Sequence, residues 1–430
     1  MKWRDAGSNA LLIPGVWLGI QGSRPVSYWF SPETATAGHD AEGNPINTLM
    51  FAVLIFTAFV ILVRRGLNWG GVMGRNKALL LIYLFFAVSC CWSGAPMTSL
   101  KRLFKDLGCV LMALVVLTEE NPAIAIRALF VRVACVLFTL SLVFGKYFPE
   151  IGRNYSSDGI LMFTGVTTQK NSLGGMLCVI GLVVLWDLIE TSKEKGRPGL
   201  RSQQCFLLGL LLLGLWLLIK CDSQTSLLCL LLGSFVLWAG QRLVTMQHGK
   251  RLLIACLSVA ICFAALDKTF GLSEIVIRAV GRNPNLTGRS DIWRLVLAQQ
   301  DSPVLGNGFY AFWDSNKGRA VVESFMQINS THNGYLEMYM DGGLVAVALL
   351  AMVLLTGCGR VINRMFSGAP LGMLGMAVWA TAVIYNLSES SFFRLDALWF
   401  TLLLLLLEYP APVPVPCEVE APPEQATQAA

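Results

Sequence analysis

Asn47–Val63 reads NTLMFAVLIFTAFVILV and is followed at once by Arg64 and Arg65. The run carries no charge. At about 1.5 Å per helical residue it comes close to the thickness of a hydrocarbon core. Runs of the same kind recur near 8–21, 77–93, 106–118, 127–147, 171–190, 204–220, 225–241, 251–267, 335–357, 370–387 and 395–408. Together they predict about twelve membrane spans. Pro14 and Gly15 interrupt the first, which is the weakest. Of the 430 residues, 55% are hydrophobic and 14% are charged, against about 25% charged in an ordinary soluble domain. The expected fold is all-α, a polytopic membrane helix bundle of about 12 transmembrane helices.

The formal charge of +6 does not point to nucleic acid, because Lys and Arg gather in short loops between the runs. Such clusters set orientation in a membrane. Arg64, Arg65, Arg75 and Lys77 fall between the second and third spans, and Lys193, Lys195, Arg197 and Arg201 between the sixth and seventh. Arg242, Lys250 and Arg251 follow the eighth, and Arg360 and Arg364 the tenth. All lie on one side if both termini are cytoplasmic. Residues 268–334 then form a large loop on the outer side. Ser23–Pro25, Lys101, Arg102, Lys105, Arg153, Gly165–Asn171, Asp222–Ser226 and Ser388–Arg394 join it there. These outer cations are either solvated loop charges with acidic neighbours or a basic basin suited to an anionic substrate.

The expected organisation is nine or so helices over 1–267, the outer loop over 268–334, about three helices over 335–408, and a tail over 409–430. The tail is rich in Pro, Glu, Ala and Gln and too poor in apolar surface to fold. The twelve Cys show no CxxC pair and sit mostly inside apolar runs, where Cys acts as a small hydrophobe. Lys2 and Arg4 ahead of Leu11–Ile20 resemble a signal peptide, but the many later spans favour a retained first helix.

The longest polar interval is Thr287–Asp341, which holds one of three histidines. His332 precedes the span at 335–357, behind the cap candidates Ser330 and Thr331. A helix N-terminus disfavours a cation, so an imidazole there is suited to accept a proton from a sugar hydroxyl. The alternative is a histidine that only caps a loop. Glu337 and Asp341 share one helical face at i and i+4; they are expected either to line a polar cavity or to sit on first turns that stand clear of the bilayer ahead of Gly342 and Gly343. Ser290–Gln300 reads as an amphipathic helix with Thr287 as its cap. Arg289 in its first turn either reaches a surface acid such as Asp291 or meets a bound anion.

Lys170, with Asn171 and Ser172 behind it, opens the sixth span. It is either an anion contact or an interfacial Lys that snorkels. Asp222–Ser226 reads as a turn, and Glu389 and Arg394 as a mutual ion pair. There is no P-loop, no G-x-S-x-G, no H-E-x-x-H and no dinucleotide fingerprint. That argues against ATP-driven transport and against zinc or serine hydrolysis.

The order L-T-G-R-S-D-I-W (286–293), G-N-G-F (306–309) and T-H-N-G-Y-L-E (331–337), ahead of a G-G-L helix, resembles the O-antigen ligase and polysaccharide polymerase superfamily. G-S-R-P-V-S-Y-W (22–29), G-V-T-T-Q-K-N-S-L-G-G (165–175) and N-L-S-E-S-S-F (386–392) resemble its exopolysaccharide polymerase branch. The resemblance implies a GT-C-like fold in the bacterial inner membrane and a site facing the periplasm. It implies a metal-independent, inverting glycosyltransferase with no cofactor. The donor would be a polyprenyl-diphosphate-linked glycan, and the acceptor a glycan or lipid-linked glycan among the membrane lipids. A flippase and a chain-length regulator in the same pathway are implied through the family alone. His332 would activate the acceptor and Arg289 hold the diphosphate. Lys170, Arg24, Arg153, Asn333, Glu337 and Glu389 would complete the diphosphate and glycan site.

One departure is the turn Asp222–Ser226, where ligases often carry an Arg. It favours polymerisation over ligation of a finished glycan to a lipid A-core or other acceptor. A transporter is the rival of another class. It predicts charges deep in mid-span and paired broken helices.

Overall fold

The computed structural model describes residues 7–30, 44–155, 159, 161–194, 196, 199–254, 257, 289–324 and 330–409. In chain order the helices are α1 (Leu12–Gln21), α2 (Val26–Phe30), α3 (Pro45–Arg64), α4 (Trp69–Arg75), α5 (Lys77–Ser89), α6 (Pro96–Leu117), α7 (Pro122–Tyr147) and α8 (Pro149–Gly152). They continue with α9 (Lys170–Lys193), α10 (Leu200–Lys220), α11 (Gln224–Thr245), α12 (Arg289–Ala298), α13 (Asn316–Ser324), α14 (Gly334–Phe366), α15 (Gly372–Tyr385) and α16 (Ala397–Leu406). A two-stranded antiparallel hairpin pairs β1 (Arg153–Tyr155) with β2 (Leu161–Phe163), so among the described residues the fold is all-α but for this one piece.

Eleven of the expected runs fall on helices, and the run at 251–267 lies largely outside the described residues. The expected polytopic helix bundle is present. Among the described residues, six helices (α3, α7, α9, α10, α11 and α14) are long and apolar enough to cross a membrane. The number rises to seven if α4 and α5, bent by 95° at Asn76, form one broken span. The apolar helix at Asn9–Gln21, α15 and α16 are short. All ten residues of α16 are buried. An apolar run covered on every side is a core helix, and composition alone does not separate it from one facing lipid. α9 is also central, with 72% of its most apolar window buried, against 28% for α3, α10 and α11. The outer helices show exposed Leu212, Ile219, Leu228 and Phe235, as a lipid-facing surface requires.

α14 is broken. Gly342 (φ −138°, ψ 17°) and Gly343 (φ 61°, ψ −156°) leave helical geometry inside it. A break in an apolar bundle frees backbone groups that must find partners. Residues 303–308 supply them. Leu344 and Val345 N–H donate to the carbonyls of Pro303 (2.9 Å) and Val304 (3.2 Å). Asn307 and Gly308 N–H donate to the carbonyls of Met340 and Asp341, both at 2.9 Å. So the G-N-G-F turn is packed into the bundle and is not a surface loop. Phe309 stacks on Phe86 at 4.6 Å, and its N–H donates to Ser89 Oγ at 3.1 Å. α12 and α13 dock beside it through Ile292, Val296, Phe312, Trp313, Val321 and Met340.

Gly343 cannot be replaced cheaply. Its φ is positive, and a Cβ there would lie 2.3 Å from the Val304 carbonyl carbon and oxygen. Gly343→Ala is expected to cost about 1–3 kcal/mol. A lowered thermal midpoint of the purified protein in detergent checks this; an unchanged midpoint would count against the pairing just described.

Candidate active site

A cavity of about 380 Å³ opens where five segments meet: the end of α1, residues 167–176, Tyr310, residues 330–337 and residues 385–398. His332 lines it. Its backbone is left-handed (φ 50°), a conformation that costs a non-glycine residue about 1–3 kcal/mol unless the surroundings enforce it. They do so here. His332 N–H donates to Ser330 Oγ (3.1 Å), and Thr331 N–H donates to Glu337 Oε1 (2.6 Å). Gly334 N–H is shared by the carbonyls of Asn386 (2.9 Å) and Glu389 (3.0 Å). The expected caps Ser330 and Thr331 are therefore corrected. The α14 cap is Asn333, whose Oδ1 accepts from Tyr335 and Leu336 N–H, because the chain turns at His332 before the helix begins.

His332 Nδ1 lies 3.0 Å from Glu389 Oε2. Asn171 Nδ2 donates to the other oxygen, Glu389 Oε1, at 2.8 Å. A carboxylate that accepts the Nδ1 proton fixes the tautomer and leaves Nε2 as the proton acceptor. Glu389 is only 7% exposed, so the interaction is little screened. The expected Glu389–Arg394 ion pair is corrected as well. Glu389 turns to the histidine, while Arg394 reaches Glu337 (2.9 Å) and Asp341 (3.2 Å). The i, i+4 face read from sequence exists, and its charge is answered from the loop ahead of α16.

Arg394 also lies 3.5 Å from the Tyr310 ring centroid, and Arg102 lies 4.2 Å from it. Arg102 pairs with Asp314, so α6 is tied to the segment after the G-N-G-F turn. Burial works against the Arg394 cation, but Asp341, Tyr310 and Glu337 more than offset it and hold its guanidinium up. Asp396 accepts hydrogen bonds from Trp399 N–H (2.8 Å) and Ser391 Oγ (2.9 Å).

The other expected site residues are placed as follows. Lys170 opens α9 and pairs with Asp222 at 3.6 Å, so the turn that lacks an arginine receives a cation from the neighbouring helix. Arg24 donates to the carbonyls of Ile151 (2.6 Å), Thr167 (3.1 Å) and Val166 (3.4 Å). It thereby holds the 165–168 loop in place, and burial pushes its guanidinium down. Arg153 Nε donates to the Gly145 carbonyl at 2.9 Å, and Arg153 is not among the cavity's lining residues. Glu337 and Glu389 line the cavity. Arg289 is the first residue of α12; its side chain and the cap candidate Thr287 lie outside the described residues. Asp291, the surface acid named as its alternative partner, lies 3.5 Å from Arg294. Arg394, Tyr310 and Asn171 were not read as site residues. Asn171 had a signal, since it stands next to Lys170 at the head of a span.

The chain is thus a polytopic helical membrane protein whose residues 206–351 match the family model described as O-antigen ligase. Along 313 residues it is 29% identical to the exopolysaccharide production protein ExoQ of Rhizobium meliloti (strain 1021), covering 69% of this chain and 68% of that protein. Both findings bear out the resemblance read from the motifs. His332 lies inside the matched segment, and Glu389 and Arg394 lie beyond it.

Proposed function

We propose that the chain is a membrane glycosyltransferase that polymerises polyprenyl-diphosphate-linked oligosaccharide repeats into an exopolysaccharide at the periplasmic face. The observation that carries this is the His332–Glu389 pair on the wall of a polar cavity within a membrane bundle. His332 Nε2 takes the proton of the acceptor hydroxyl while that oxygen attacks the anomeric carbon of the donor. The anomeric C–O bond to the diphosphate breaks, and the diphosphate leaves with the electron pair. Arg289 answers the charge that develops on it. Glu389 holds the imidazole and stabilises the imidazolium that forms. A single displacement inverts the anomeric centre. General-base help of this kind is worth about 10²–10⁴ in rate. A diphosphate is a good leaving group, so most of the catalytic demand falls on the nucleophile and on placement.

The similarity to an exopolysaccharide production protein and the D-S-Q-T-S turn support polymerisation over ligation. The test is the purified protein with a polyprenyl-diphosphate repeat unit. A ladder of longer lipid-linked products is expected. Transfer only to an added lipid A-core or other acceptor makes it a ligase, and no transfer at all overturns the reading.

The proposed orientation has its own test. Lys317, with a 41% exposed side chain, pairs with Asp301 on the segment assigned to the outside. With exposed Cys91 and Cys205 replaced by Ser, Lys317→Cys is expected to react with an impermeant maleimide added to whole cells. Reaction only after the cytoplasm is opened would reverse the orientation and move the site to the wrong face.

A further inference from the structure

Tyr385 ends α15 and lines the His332 cavity. The residue is only 7% exposed. Its backbone is committed, because the Tyr385 carbonyl accepts from Ser388 N–H (3.2 Å) and Glu389 N–H (2.9 Å). Its hydroxyl is not. Among the described residues the phenol oxygen has no hydrogen-bond partner. Glu389, four residues on, gives its two oxygens to His332 Nδ1 and Asn171 Nδ2. Room for the phenol is left by α9. A Cβ at Gly175 would lie 2.6 Å from Tyr385 Oη and 3.3 Å from Cζ, and Gly175 lines the same cavity.

A hydroxyl so little exposed gives up water on folding, and it bonds to something in the cavity or stays unsatisfied. Its surroundings limit the partner. The carboxylates of Glu389 and Asp396 act on this phenol, so a phosphate beside it would meet charge of its own sign. A neutral group that both donates and accepts suits the place, and a sugar hydroxyl is such a group. The wall also decides which sugar. Tyr385 is tied through its carbonyl to Glu389, and Glu389 holds the base. The sugar that offers a hydroxyl to His332 is the acceptor's. We infer that Tyr385 binds a second hydroxyl of the acceptor's terminal sugar, in the space left by Gly175, and so selects which sugar is elongated. The inference rests on the proposed transferase function and adds to it a determinant of acceptor choice. A site built to bond a substrate hydroxyl rejects the analogue that lacks it, because the protein group is then left unpaired.

The test uses the purified protein with the polyprenyl-diphosphate repeat unit as donor. The acceptor is the repeat-unit oligosaccharide as an alkyl glycoside, which has no diphosphate and cannot act as donor. Monodeoxy glycosides lack the terminal sugar's hydroxyls one at a time. Leaving aside the form without the attacking hydroxyl, the unaltered protein is expected to disfavour one of them by at least about tenfold in kcat/KM. In Tyr385→Phe that preference should fall to about twofold or less, with the other glycosides ranked as before and donor KM unchanged. A ring that only packs would slow all acceptors alike. Gly175→Ala, whose methyl pushes the hydroxyl aside, should weaken the same preference, and should change it no further once Tyr385→Phe is present.

Should Tyr385→Phe fail to fold, Gly175→Ala decides with the same glycosides. Preferences unchanged in the variants, or an equal loss for every glycoside, overturn the contact. A change confined to donor KM also overturns it, because the hydroxyl then binds the donor. So does an unaltered protein that elongates the lipid-linked repeat but ignores the glycosides or does not discriminate among them. A protein that transfers to no acceptor of either kind defeats the transferase reading itself.

Discussion

His332→Ala is expected to lower donor turnover by about 10²–10⁴ while leaving the thermal midpoint close to that of the unaltered protein. The fall should be in kcat at saturating donor, since the base acts on the transition state and not on ground-state binding. Glu389→Gln tests the same site from behind. It keeps the shape but offers an uncharged acceptor at the 3.0 Å contact to Nδ1. A fall of about 10–100-fold in kcat is expected, with donor KM unchanged, as befits a positioning residue. Full activity in His332→Ala would remove the base from the mechanism. A Glu389→Gln protein that alters only KM would show that Glu389 touches the substrate and does not work through the histidine.

The second large effect concerns stability. Arg394 is the cation between Glu337 and Asp341, which are 2% and 1% exposed. Arg394→Met leaves both carboxylates buried without their partner. Breaking such a network from one side costs about 3–5 kcal/mol. A clearly lower thermal midpoint in detergent is expected. Adding Glu337→Gln and Asp341→Asn to Arg394→Met should recover much of it, because the triple variant buries no uncompensated charge. A single variant that melts within about a degree of the native protein would show the cluster to be solvated or protonated in a way its geometry does not suggest. Glu337 also accepts from Thr331 N–H and Trp313 Nε1, so activity is expected to fall along with stability.

The sequence disclosed the helices and one half of each pairing. An apolar run of membrane length has few alternatives to a helix, so the positions of α3, α7, α9, α10, α11 and α14 were legible. Whether such a run faces lipid or protein depends on its neighbours in space, so the complete burial of α16 was not legible. His332 was legible as a chemical group because of its type and surroundings. Its partner lies 57 residues later and belongs to a loop whose path no local periodicity records. The acids at 337 and 341 were legible as one face of a helix. Their cation was not, since Arg394 stands beside Glu389 in the sequence and 53 residues from Asp341, and only the fold decides between them. The Ser330–Thr331 cap was misplaced because nothing in the residue type histidine announces a left-handed turn. Among the outer cations, Lys105 was noted only as one of a crowd, and its burial is purely a matter of packing.

The break in α14 bears on how this chain can vary. Four backbone hydrogen bonds tie residues 303, 304, 307 and 308 to residues 344, 345, 340 and 341 in turn. An added or deleted residue there would shift the donors by one place and leave polar groups bare in an apolar setting. α13, by contrast, turns Asn316 and Arg319 to solvent while Val321 holds it against the cluster beside that seam. Substitutions on its exposed face would leave the seam and the histidine where they are. The segment thus contains a part of fixed length beside a face free to change. A glycan enzyme could remodel its outer surface for new acceptors through the second without disturbing the first.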